Sequence, residues 1–92
     1  MQKKSKTRSA TVLQYVGANV RRLRSAKGWT QKDLADETSF KWRAVQDLER
    51  GSGNPSLTLL IEIAQALRAP IADLFAPTEV PELRVGRPWP EK

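Results

Sequence analysis

The sequence contains neither cysteine nor histidine among its 92 residues. Their absence excludes zinc fingers, disulfide frameworks, cysteine nucleophiles and the side chain that most often acts as general base near neutral pH. We therefore expect no metal, no cofactor and no redox chemistry. A chain this short buries only roughly 60% of the surface that its unfolded form exposes, which allows one compact core.

Long hydrophobic runs are missing as well. Gln14 and Gly17 interrupt the first apolar stretch, and Glu62 lies inside the second. Neither stretch reaches the roughly 20 apolar residues of a membrane span. The basic start is followed by further arginines without a small-residue cleavage region, which argues against a signal peptide. We expect a cytoplasmic protein that is not attached to a membrane.

Acidic residues are absent from the first 27 positions, although the whole chain carries a net charge of +6 and a pI near 10.2. The bases of this segment are Lys3, Lys4, Lys6, Arg8, Arg21, Arg22, Arg24 and Lys27. Such a concentration of positive charge favours a polyanionic partner, most commonly nucleic acid. The alternative is a solvated basic segment that only keeps the protein soluble.

Apolar residues at spacings of three and four predict a first helix from Thr11 to about Lys27. Its inward stripe consists of Leu13, Val16, Val20 and Leu23. Residues 1–10 show no helical pattern, and we expect them to form a basic flexible arm. The arm either follows a minor groove or phosphates, or is a plain disordered terminus.

The next segment predicts two short helices joined by a turn. Thr30 and Asp33 have the spacing of a capping box, so a second helix should begin at Gln31. Residues 38–40 combine weak helix formers with turn formers and should end it. A third helix is expected over about residues 41–50, and the pair forms a helix-turn-helix unit.

A fourth helix should follow Ser56, with an apolar stripe at helical spacing. The stripe consists of Leu57, Leu60, Ile61, Ala64 and Leu67. Pro70 should end this helix and begin a short fifth one through Phe75. We therefore place a folded domain at residues 11–76 and a proline-rich, extended or disordered tail at residues 77–92.

Several short motifs occur together with a characteristic spacing. They are Arg21-Arg22-Leu23-Arg24, Thr30-Gln31, Leu34-Ala35, Leu48-Glu49-Arg50-Gly51, Pro55-Ser56-Leu57, Leu59-Leu60, Ile63-Ala64, Ala66-Leu67 and Leu74-Phe75. The combination resembles the Xre/Cro-type helix-turn-helix of phage repressors and many bacterial regulators. The resemblance implies an all-α, five-helix, lambda-repressor-like bundle that binds double-stranded DNA, usually as a homodimer on a palindromic operator.

By this resemblance, Trp42, Arg43, Gln46 and Asp47 on the third helix match base-reading positions. Arg43 is suited to guanine and Gln46 to adenine, and Asp47 either orients Arg43 or accepts from cytosine. Trp42 either packs on a thymine methyl or deoxyribose, or folds back over Phe40. The alternative is that these side chains form only the solvent-exposed face of an amphipathic helix.

The resemblance also implies contacts to the DNA backbone and one structural ion pair. Arg24 and Glu49 match a pair that ties the first helix to the third. The residues expected at the DNA backbone are Gln31, Lys41, Arg50, Ser52, Asn54, Arg21 and Arg22. Such contacts set register and supply salt-dependent affinity without reading sequence.

Three positions depart from the family pattern. Ser39 stands in the turn where glycine is usual, so it must adopt a left-handed conformation or a different turn. Lys41 stands where a serine usually caps the reading helix, so either Ser39 caps it earlier or Lys41 contacts a phosphate. Arg68 ends the fourth helix where glycine is common.

The sequence therefore predicts a DNA-binding transcriptional regulator, specifically a repressor, and not an enzyme. No serine is paired with a general base, since histidine is absent, and no glycine-rich phosphate loop is present. The alternative is an antitoxin-like interaction module that neutralises a partner protein and regulates its own operon. The tail, with Leu83, Val85 and Trp89, would then either fold onto that partner or pair as a strand across a dimer.

Overall fold

The structure, a computed structural model, describes residues 2–80, with side chains from residue 9 onward. Its elements are α1 (Gln2–Ala26), α2 (Gln31–Asp36), α3 (Trp42–Arg50), α4 (Leu57–Leu67) and a 3-10 helix (Ile71–Phe75). No strand occurs in this range, so the all-α prediction is confirmed. The prediction of a fifth α-helix is wrong, because Ile71–Phe75 forms a 3-10 helix. It is only five residues long, and 3-10 geometry is common in such short pieces.

The first helix begins at Gln2, and not at Thr11 as the sequence suggested. The expected arm over residues 1–10 is thus helical in the part that the structure describes. The backbone has a simple reason for this extension. Glutamine, lysine and arginine are good helix formers, and neither glycine nor proline occurs before Gly17. The absence of an apolar stripe indicated only that the segment lacks a core-facing side.

The main core is formed by apolar side chains from every element. The core-facing residues of α4 are Leu59, Leu60, Ile63, Ala64 and Leu67. Leu57 and Ile61, which we expected to face inward, are 65% and 41% exposed. The prediction failed because most residues of α4 are apolar, so more than one helical stripe fits its sequence. In α1, Val16 and Val20 are buried as predicted.

The ends of the helices largely follow the predicted local chemistry. Thr30 and Asp33 form the complete capping box of α2, and the Ser56 hydroxyl accepts from the Leu59 N–H at the start of α4. Gly51 ends α3 with φ of 76°. Arg68 occupies the corresponding position after α4 with φ of 57°, a left-handed conformation that is unfavourable for residues with a Cβ.

Two contacts fix α1 against distant parts of the chain. At Gly17 the backbones of α1 and α3 approach so closely that a Cβ would lie 2.6 Å from the carbonyl oxygens of Leu48 and Glu49. The buried Asn19 amide donates to the carbonyls of Leu74 and Ala76, at 3.0 and 2.9 Å. Helix α1 therefore packs against both α3 and the last described segment.

The chain after the 3-10 helix has no regular secondary structure as far as Val80, which is buried. The predicted tail beyond Val80, including Leu83, Val85 and Trp89, lies outside the described residues. Within residues 2–80, no helix combines the length and apolar character needed to cross a bilayer.

Candidate nucleic-acid interface

The outward face of α3 carries the four predicted base-reading residues. Val45 and Leu48 are buried on the other side of the helix, and Glu49 is buried at the edge of the outward face. With 100° between successive residues, Trp42, Gln46, Arg50, Arg43 and Asp47 fall within one arc of about 140°. Trp42, Arg43 and Arg50 are exposed, and Gln46 and Asp47 are partly buried. The structure therefore brings both kinds of predicted DNA contact onto one convex helical surface.

An ion pair between α1 and α3 fixes the orientation of this surface. Arg24 Nε and Nη2 donate to the two carboxylate oxygens of Glu49, at 2.6 and 3.0 Å. The Glu49 side chain is 1% exposed, and the third donor of Arg24, Nη1, reaches the Trp29 carbonyl at 2.7 Å. The expected structural pair is present, and its two parallel bonds define geometry as well as charge.

The Glu49 carboxylate also favours the charged form of Arg24. Hydrogen bonding to Glu49 raises the pKa of the Arg24 guanidinium; burial lowers it and the negative charge of Glu49 raises it again. Stability from a raised pKa is lost only as the pH rises through the folded-state value. The ion pair therefore loses no stability through deprotonation of Arg24 near neutral pH.

Gln31 connects the ion pair to the amino end of the reading helix. Its Nε2 donates to Glu49 Oε1 at 3.0 Å, and its Oε1 accepts from the Trp42 indole Nε1 at 3.3 Å. These two bonds fix which way the amide faces. One hydrogen of the amide nitrogen remains available for an acceptor such as a phosphate oxygen.

The position of Trp42 bears on the two alternatives left open by the sequence. Phe40 packs against the main core, whereas Trp42 is not part of that cluster and is 51% exposed. Its indole lies over the start of α2, where it binds Gln31. The ring therefore borders the exposed surface of α3.

A polar cleft of about 150 Å³ opens beside this network. It is lined by Arg21, Gln31, Gln46, Glu49 and Arg50. Arg21 is 58% exposed and its Nε lies 3.8 Å from Glu49. Arg22, which we also expected at the DNA backbone, donates instead to Asn19 Oδ1 at 3.1 Å. The cleft combines two exposed guanidinium groups with two amides, a donor set suited to phosphate oxygens.

The turn between α2 and α3 is held by side chains. Ser39 does not have a positive φ, so of the two conformations considered the chain uses the different turn. Its N–H and hydroxyl both donate to the Glu62 carboxylate, at 2.7 and 2.9 Å. The Thr38 hydroxyl accepts from the Phe40 N–H and donates to the Ala35 carbonyl. The carboxylate on α4 therefore stabilises a turn in which Ser39 does not need the left-handed conformation that favours glycine.

Sequence reasoning missed the role of Glu62. The available signal was its isolation, since it is the one charged residue in the otherwise uncharged sequence of α4. A single acid on an apolar helix often has a specific partner, but the sequence does not reveal that the partner is Ser39.

The remaining predicted backbone-contacting residues surround α3. Lys41 is exposed and occupies the N-cap of α3 without a side-chain cap hydrogen bond. Ser52 and Asn54 are exposed after the carboxyl end of the helix, and the Ser52 hydroxyl donates to the Asp47 carbonyl at 3.4 Å. Lys41 therefore borders one end of the outward surface, and Ser52 and Asn54 border the other.

Comparison with known proteins identifies this arrangement. The sequence profile of a helix-turn-helix family matches residues 20–74, a range that contains α2, α3, α4 and most of the 3-10 helix. The chain belongs to the Xre/Cro-type helix-turn-helix family. The resemblance stated from the sequence is thus confirmed.

Three relatives illustrate the match to this helix-turn-helix protein. An uncharacterized HTH-type transcriptional regulator, y4dJ, from Sinorhizobium fredii is 41% identical over 64 residues, covering 70% of this chain and 83% of the relative. The competence pilus inhibition repressor of Acinetobacter baylyi is 33% identical over 60 residues, covering 65% and 54%. The crystal structure of the restriction-modification controller protein C.AhdI from Aeromonas hydrophila superposes with a TM-score of 0.65 at 36% identity, covering 68% and 96%.

These relationships establish the general function of this helix-turn-helix protein. It is a DNA-binding transcriptional regulator and belongs to a family that is not enzymatic.

Proposed function

We propose that this protein represses transcription by binding a palindromic operator as a homodimer in the cytoplasm, at the nucleoid. Each copy inserts α3 into the major groove of one half-site, with the half-sites about 34 Å apart. The observation that carries the proposal is the arc of outward-facing side chains on α3, held in place by the Arg24–Glu49 pair. That one relative is named a repressor supports the direction of regulation.

Within this arc we assign base reading to Trp42, Arg43, Gln46 and Asp47. Arg43 is exposed, and two of its five guanidinium N–H donors suffice for a bidentate contact to guanine O6 and N7. Gln46 borders the polar cleft, so its amide is placed between the bases and the phosphate chain. Trp42 offers a ring edge to a thymine methyl or a deoxyribose.

We assign backbone binding to the residues that surround the arc, with one phosphate in the cleft. Arg21 and Arg50 supply its positive charge, and Gln31 supplies the amide that Glu49 and Trp42 orient. The remaining members of this set are Lys41, Ser52, Asn54 and Arg22. Arg22 would have to leave its contact with Asn19 to reach DNA.

The experiment that tests the proposal is selection of binding sites from a random duplex library at about 150 mM salt, near physiological ionic strength. We expect an enriched inverted repeat that also represses a linked reporter promoter. Binding without an enriched motif would contradict sequence-specific regulation and would favour a protein partner as the functional target.

A matched pair of variants separates the two kinds of contact on the selected operator. Arg43→Ala should relax preference at one base position by about 1 to 3 kcal/mol. Arg50→Ala should weaken all sequences alike and flatten the dependence of log affinity on log salt by about one unit. Equal losses on every sequence for both variants would refute this assignment of roles.

A further inference from the structure

A second cleft, of about 210 Å³, opens between α3, α4 and the loop that joins them. It shares no lining residue with the polar cleft, and the residues of α3 that line it lie on the other side of that helix. Its apolar lining and its single charged group are formed by Phe40, Ala44, Leu48, Pro55, Leu59 and Asp47. We call it the α3–α4 cleft.

The apolar part of the α3–α4 cleft has the size of a small ring. Leu48 and Leu59 are buried and form its base, and Phe40 packs against the main core beside them. An apolar cavity of about 150 Å³ is enough to hold benzene, whereas drug-sized ligands occupy about 300 to 1,000 Å³. The cleft therefore suits a molecule with one ring and is too small for a larger ligand.

The Asp47 carboxylate supplies the charge of the cleft. Asp47 is partly buried, and no group within residues 9–80 forms a hydrogen bond or an ion pair with its carboxylate. A carboxylate that is partly removed from water and has no partner favours a cation beside it. A carboxylic acid or a phosphate in the cleft would instead meet a like charge.

An apolar surface beside one carboxylate matches the two ends of an aromatic amine. The ring would contact Phe40, Pro55 and Leu59, and the ammonium group would donate to Asp47. Ser52 and Ser56 add hydroxyl oxygens that can accept the remaining ammonium hydrogens. We propose that the α3–α4 cleft binds a small organic amine whose apolar body is a single ring.

The position of the cleft makes its ligand a regulator of DNA binding, a consequence that rests on the proposed function. Ser52 and Asn54, which also line the cleft, are proposed to contact the DNA backbone. Asp47 is the one acid on the outward arc of α3, and a bound ammonium group would neutralise it. One additional positive charge facing phosphates should strengthen operator binding about fivefold near 0.15 M salt.

The first test measures binding of benzylamine to the full chain without DNA, by NMR chemical shifts of the backbone amides. The amides of Ala44, Asp47 and Leu59 should shift together and saturate with a Kd on the order of 1 mM. Benzyl alcohol keeps the ring without the charge and benzoate reverses the charge, so both should bind at least about tenfold more weakly. Shifts that do not saturate, or that centre outside the cleft, would overturn the proposal.

A matched pair of variants tests the role of the carboxylate. Asp47→Asn keeps the shape of the side chain and should weaken benzylamine binding about tenfold, with benzyl alcohol binding changed less than about twofold. Asp36→Asn removes the same charge from an exposed site on α2 and should change benzylamine binding less than about twofold. Undiminished binding to Asp47→Asn, or an equal loss in both variants, would refute recognition by Asp47.

A ringless amine distinguishes a free aromatic amine from a lysine side chain of another protein. n-Butylamine has the length and charge of a lysine side chain, and it should bind about tenfold more weakly than benzylamine because it buries less apolar area. Equal binding of the two amines would contradict the single-ring ligand and would indicate a lysine as the occupant.

Operator DNA separates this proposal from the proposed function. Saturating benzylamine should raise the affinity of the unmodified chain for the selected operator about fivefold and leave that of Asp47→Asn unchanged. The same concentration of n-butylamine controls for ionic strength. Unchanged affinity of the unmodified chain would overturn the regulatory role. Failure of the unmodified chain to discriminate any operator would instead refute base reading by α3, while benzylamine binding measured without DNA would stand.

Discussion

The two ends of α3 are held in different ways. At the carboxyl end, Glu49 is buried in a bidentate ion pair, and the backbone approaches Gly17 of α1 without space for a methyl group. At the amino end, Lys41 has no side-chain cap, and Trp42 is half exposed with one indole hydrogen bond of 3.3 Å. The carboxyl end therefore fixes the helix to the bundle, whereas the amino end carries residues proposed to read bases and has fewer fixed contacts.

The largest effect is expected from Glu49→Ala at the fixed end. It leaves Arg24, 15% exposed in its side chain, without its carboxylate. We expect the free energy of unfolding to fall by about 3 kcal/mol in urea denaturation, as for other broken buried pairs. The control Asp47→Ala, on the outward face of the same helix, should cost at most about 0.5 kcal/mol. Equal costs for the two variants would show that the buried pair does not anchor α3.

Gly17→Ala tests the same end through packing instead of charge. The new methyl group would lie 2.6 Å from two backbone carbonyl oxygens, so α1 and α3 must move apart. We expect a loss of about 2 kcal/mol despite the higher helix propensity of alanine. Ser25→Ala, at an exposed site on α1, is the control and should change stability by less than about 0.5 kcal/mol. A stabilised Gly17→Ala protein would contradict the close approach.

Glu62→Ala tests the turn that leads into the amino end. Removing the carboxylate leaves the Ser39 N–H and hydroxyl without the partner that holds them. Because the contact is near the surface, we expect a loss of only about 1 kcal/mol. Amide hydrogen exchange should become faster at Ser39 and stay unchanged at Val45. Unchanged exchange at Ser39 would mean that the turn is held without Glu62.

The smallest effect is expected from Trp42→Phe at the adjustable end. The substitution removes the indole N–H that binds Gln31 and keeps an aromatic ring. We expect the free energy of unfolding to change by less than about 0.5 kcal/mol, since the bond is long and exposed. A loss comparable to that of Gly17→Ala would mean that both ends of α3 are held equally firmly.

The features that the sequence predicted well depend on local chemistry. The capping box at Thr30 and Asp33 and the cap at Ser56 each involve groups within three residues of one another. The site was predictable as a set of positions on α3, because helical spacing alone separates Val45 and Leu48 from the outward face.

The features that were missed depend on contacts between distant residues. The partner of Glu62 is 23 residues away, and the approach at Gly17 depends on the angle between two helices. The side of α4 that faces the core is decided by neighbouring helices, because the sequence offers apolar residues on several sides. The early start of α1 was missed for a different reason, since helix propensity, and not an apolar stripe, extends it to Gln2.

The Asn19 amide has a consequence for the order in which the chain is made. It belongs to α1, which is synthesised before the other described elements, yet its acceptors are carbonyls 55 and 57 residues later. A buried amide without its acceptors costs about 1 to 3 kcal/mol. Helix α1 can therefore form early, but a nascent chain that ends before Ala76 lacks a carbonyl acceptor for the Asn19 amide of α1. Completion of the fold follows translation of the last described segment.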